Sequence, residues 1–169
     1  MTPTPEFYSE FAGAEPVFRN RWGWKRPAVT SSKKHALAAS QRAGRIAVVR
    51  ETVGITAYRT GDFALALREL LSARRISGSN EQIALIVDCE RGLGRPDRAL
   101  EVGRSVDRSV LPAESRVNLA IAMSGARLDR DENALALAEL EIPELNPSKV
   151  FDYSPPLFWA YADRKSTRL

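Results

Sequence analysis

The sequence is poor in the side chains that build metal sites, cross-links and membrane anchors. One cysteine (Cys89) and one histidine (His35) occur in 169 residues. A single thiol closes no internal disulfide, so a scaffold held by cross-links is excluded. One Cys with one His makes no Cys/His zinc site either. Apolar runs are short, and Ile83-Ala84-Leu85-Ile86-Val87 falls far below the roughly 20 residues that span a bilayer. Residues 1–15 carry Glu6, Glu10 and Glu15, no base and no apolar core, which is not the pattern of a secretory signal. The expectation is a single cytoplasmic domain with no membrane partner, large enough to bury a core without staples.

Acids are missing between Pro16 and Arg50, where the bases are Arg19, Arg21, Lys25, Arg26, Lys33, Lys34, Arg42, Arg45 and Arg50. Residues 51–169 hold 16 bases and 18 acids, so the net charge of +4 is owed to one segment. Such an arm suits nucleic acid or an acidic protein surface; a solvated leader is the plainer reading. Its candidate nucleic-acid contacts are Arg19, Arg21, Trp22, Trp24, Lys25 and Arg26, since cations pair with phosphates and indoles stack on bases. Pro3, Pro5, Pro16 and Pro27 bar a long helix there, so residues 1–30 are expected to form an irregular arm. Its many aromatics imply that part of it packs on the body or on a partner.

From Ser31 onward, Ala, Leu, Arg and Glu dominate in helical spacing with short polar breaks. The pattern predicts helices over Ser31–Ala43, Arg45–Thr60, Phe63–Ile76, Ser79 to about Leu93, from Pro96, Ala113–Leu128, Glu132–Glu141 and Leu157–Ala162. Asp62 is expected to cap its helix, and Ser79 with Gln82 reads as a capping box. The fold class is all-α.

Internal similarity is the most informative feature. Gly61-Asp62-Phe63-Ala64-Leu65-Ala66-Leu67 aligns with Gly94-Arg95-Pro96-Asp97-Arg98-Ala99-Leu100 and with Asp129-Arg130-Asp131-Glu132-Asn133-Ala134-Leu135. The Ala-Leu pairs at 66, 99 and 134 are separated by 33 and 35 positions. Two helices per unit of about 34 residues is the spacing of tetratricopeptide repeats. Small residues at Ala66, Ala99 and Ala134 would let the second helix cross the first closely; Gly54 and Ala122 are the matching small positions on the first helices.

Gly54, Tyr58, Gly61-Asp62-Phe63, Ala66 and Ala73 resemble a tetratricopeptide unit. Residues from about His35 to Gly103 are similar to a group of uncharacterised actinobacterial tetratricopeptide-repeat proteins, in Arg42–Glu51, Ala73–Gly78 and Asp88–Pro96. The resemblance implies an α-solenoid of antiparallel helix pairs, with units at about 45–78, 79–111 and 112–146 in a domain of 31–162. It implies a protein-interaction role and supplies no catalytic residue. Residues 163–169 resemble the translated read-through of a sequencing adapter, which leaves a truncated chain or a genuine basic tail as alternatives. Leu157, Phe158, Trp159 and Tyr161 would then form a face open to self-association.

No nucleophile, base or metal constellation assembles, so no enzyme and no cofactor is expected. His35 reads as surface, Cys89 as a buried hydrophobe, and Asp129, Asp131 and Glu132 as helix-start charges. With the register taken from Gly61, Gly94 and Asp129, the first helices place Glu51, Ile55, Tyr58 and Arg59 on a concave face. Glu81, Ala84, Asp88 and Arg91 follow, then Arg116, Leu119, Met123 and Arg127. This groove is expected to hold a protein or peptide ligand. The Lys/Asn pattern with which some family members clamp a C-terminal carboxylate is replaced by Glu51 and Ile55.

Overall fold

The computed structural model describes residues 34–39 and 42–166, and every regular element among them is helical. Residues 34–39 form a helical turn, followed by α1 (Ala47–Arg59), α2 (Phe63–Ser77), α3 (Ile83–Gly92) and α4 (Pro96–Arg104). A 3-10 turn at Arg108–Val110 leads to α5 (Ala113–Leu128), α6 (Asn133–Ala138) and α7 (Ser154–Ser166). None of these helices is long and apolar enough to cross a membrane. The predicted arm at 1–30 and its six candidate nucleic-acid contacts lie outside the described residues.

Helix ends follow from local chemistry. The Asp62 carboxylate accepts from the Leu65 amide at 3.2 Å, as its position at the start of α2 predicts. The capping box is not formed. Ser79 Oγ accepts from the Glu81 amide in a turn, and Gln82 donates away from it to Glu51 Oε1 at 2.7 Å, so α3 begins only at Ile83. Pro155 and Pro156 sit inside the first turn of α7 rather than ahead of it, where an amide has no intrahelical acceptor to lose.

One turn recurs three times. The amides of Asp62, Arg95 and Glu132 donate to the carbonyls of Ala57, Glu90 and Arg127, at 3.0, 2.9 and 2.9 Å. The residue before each donor is left-handed: Gly61 (φ 78°), Gly94 (φ 74°) and Asp131 (φ 59°). Aspartate occupies the third position because a short polar side chain tolerates this region better than most residues. The matching positions are therefore 33 and 37 apart, and the third unit is displaced by two from the register counted on Asp129. Its crossing alanine is Ala136, fully buried like Ala66 and Ala99, whereas Ala134 is exposed. The partner of Gly54 on α5 is Ser124, not Ala122.

Packing has a simple order. Each helix touches the next, and α1 also touches α3, α3 touches α5, and α5 touches α7. A main core runs through α1–α5, with Tyr58, Leu70, Ile83, Ile86, Leu119 and Met123 among its buried members. A second cluster joins Val117 and Ile121 of α5 to Leu140, Leu157 and Ala160. Leu157 and Phe158 are thus covered, which corrects the expected open face, while Trp159 stays 40% exposed. In the second unit Gly103 stands where Leu70 and Leu140 stand in the others. Met123 fills the space, its sulfur lying only 2.1 Å from where a Gly103 Cβ would be.

Ser124 is wholly buried and its hydroxyl has no hydrogen-bond partner. A buried hydroxyl without a partner costs free energy, and alanine is the better helix former. Ser124→Ala is expected to raise stability by about 1 kcal/mol, read as a higher urea midpoint at unchanged slope.

Candidate interaction surface

Of the residues predicted to line a groove, Tyr58, Asp88 and Arg91 are joined to one another. Tyr58 at the end of α1 donates its hydroxyl to Asp88 Oδ2 of α3 at 2.5 Å. Arg91, one turn further along α3, donates to Asp88 Oδ1 at 2.5 Å and through Nε to Asp129 Oδ2 at 2.9 Å, beyond the end of α5. These four side chains form a continuous polar line across three helices.

Burial and charge explain its ionisation. Tyr58 is only 2% exposed, and burial beside the Asp88 carboxylate pushes its phenol well above the ordinary range. Burial disfavours the Arg91 cation, yet Asp88 and Asp129 outweigh it and raise the guanidinium above its usual value. Cys89, fully buried beside this line, has its thiol pushed up to about 12 by desolvation and then by the Asp88 charge. It is a packed hydrophobe with negligible thiolate at neutral pH, as the sequence suggests.

Several predicted groove residues are placed elsewhere. Tyr58 is buried and closed to a partner. Leu119 and Met123 are fully buried and Ala84 nearly so, because the two-residue displacement turns the first two toward the core. Arg116 faces a cleft of about 320 Å³ shared with Arg108, Ser109, Ile142, Pro143 and Glu144. There it pairs with Glu144 and donates to the Leu111 carbonyl at 2.6 Å. Arg127 pairs with Glu132 at 2.6 Å and is only 14% exposed. Asp129 lies at the end of α5 and pairs with Arg91, so it is not a helix-start charge; Glu132 does stand at the start of α6, where it pairs with Arg127 and Arg130.

What remains accessible lies mainly on α1 and in the turn before α3. Arg59 and Glu81 are exposed, Glu51 and Ile55 half-buried. Val48, 61% exposed, extends the α1 stripe at the same helical spacing. Counting from Asp131, the third unit contributes Asn118 and Leu128, both half-buried. Sequence reasoning missed these two and Val48. The left-handed position at Asp131 is the signal that finds Asn118 and Leu128, and aspartate hides it where glycine would have declared it.

His35 is exposed. Among the described residues no group of three His, Cys, Asp or Glu side chains is arranged to hold a metal ion. Set against protein-family models, curated proteins and solved structures, the chain matches none of them.

Proposed function

We propose that this chain is a non-enzymatic scaffold, a tetratricopeptide-like α-solenoid that holds a peptide or a partner helix along the concave side of its first helices. The observation that carries the reading is the threefold turn at Gly61, Gly94 and Asp131, combined with α1, α3, α5 and α7 touching in series. Helix pairs repeated in this way leave one face of the first helices to an extended ligand. The stripe Val48, Ile55 and Arg59 of α1, with Glu81 in the turn before α3 and Leu85 within it, offers half-exposed apolar surface flanked by one charge of each sign. That composition suits an amphipathic segment, its apolar side seated and its charged ends paired.

The test compares proteins retained from a native extract by the wild type, by Val48→Asp and Arg59→Glu, and by Arg75→Glu on the exposed side of α2. The first two variants are expected to weaken retention about tenfold, with unfolding midpoints unchanged. Arg75→Glu is expected to retain the same set. Identical retention by all four forms would remove the concave stripe from the proposal.

A further inference from the structure

The polar line between the first helices has one member that makes two of its three links. Arg91 bonds both Asp88, which also holds Tyr58 of α1, and Asp129 at the end of α5. The seat for its guanidinium is cut into α5 itself. A Cβ on the buried Gly125 would lie 2.3–2.6 Å from Arg91 Cζ, Nη1 and Nη2. The site therefore carries Tyr58, Asp88, Arg91 and Asp129, and its order rests on the two aspartates flanking one arginine.

The geometry points to Arg91 as a clamp that locks α1, α3 and α5 into one arc, with Gly125 as the notch that admits it. Arrays of helix pairs hold together through nearest-neighbour interfaces, so their weak points lie between units. Here Tyr58–Asp88 spans the first boundary and Arg91–Asp129 the second, and the Arg91–Asp88 pair joins the two. Its planar fork suits two carboxylates in a way that an ammonium does not. The clamp operates whether or not a partner is bound, and so stands apart from the proposal on ligand binding.

The experiment is hydrogen exchange on the full chain, read helix by helix, for wild type, Arg91→Met, Gly125→Ala and the double variant. Arg91→Met is expected to accelerate exchange about tenfold in α1 and α5 as well as α3, and more than in α6. Gly125→Ala is expected to reproduce this pattern, although alanine by itself favours a helix. The double variant should be no faster than either single one, since the same contact is already lost. Acceleration confined to α3, equal acceleration of every helix, or additive effects in the double variant would each overturn the clamp. Should Arg91→Met fail to fold, Tyr58→Phe cuts the α1 link alone. It is expected to accelerate α1 and leave α5 unchanged; no change in α1 overturns the proposal.

Discussion

Leu119→Ala is expected to lower the unfolding free energy of the helical body by about 2–5 kcal/mol, the range for deleting a buried leucine side chain. Leu119 is fully buried in the cluster that joins α1 to α5, so no single helix can absorb the loss locally. Against a total stability of about 5–15 kcal/mol for a domain, this is enough to bring the chain close to unfolding at ambient temperature. The urea midpoint should fall with its slope preserved. Asn118→Ala, at the half-buried neighbouring position, is the control and should shift stability by less than about 1 kcal/mol. The pair decides the register. Had the third unit followed Asp129, Leu119 would lie on an open face and its truncation would be nearly silent.

Leu157→Ala is expected to cost a similar amount but to spend it in one place. Leu157 is buried in the smaller cluster, against Val117, Ile121 and Leu140, and α7 packs on α5 and α6. Elements at the end of an array open without the rest. A loss of about 2 kcal/mol or more corresponds to roughly thirtyfold faster amide exchange. That acceleration should be confined to α7 and its contact surface, with the main urea transition nearly unmoved. If the main midpoint falls as far as in Leu119→Ala, α7 is part of one cooperative core rather than a terminal unit.

The all-α class and most helix positions were legible because apolar spacing and turn residues agree locally. The predicted limits of Ala113–Leu128 coincide with α5, and Phe63–Ile76 differs from α2 by one residue. Failure was concentrated where a short motif had to be set in register over a distance. Ala-Leu occurs at 134–135 and again at 136–137, and only the second alanine is buried. A pattern of small and apolar residues cannot distinguish the two, because both satisfy the same composition. The slip of two then rotated the third set of groove positions by more than half a turn, which carried Leu119 and Met123 into the core. Tyr58 failed for another reason. Its helical position is on the groove side, but Asp88 draws its hydroxyl into a contact that sequence spacing does not reveal. The same blindness hid the ion pairs of Arg116 and Arg127.

The uneven distance between successive turns has a consequence for how such chains can change. The surplus between Gly94 and Asp131 falls in the 3-10 segment Arg108–Val110 and at the front of α5, which is longer than α1 or α3. Ser109 and Val110 of the 3-10 segment are exposed, while Arg108 pairs with Glu139 of α6 at 2.8 Å. Lengthening a connector is cheap, at about 0.6 kcal/mol per doubling, so an insertion at the exposed Ser109 and Val110 is expected to cost little. Relatives of this chain are accordingly better sought by the hydrogen-bonded corner that ends each first helix than by any constant interval along the polypeptide.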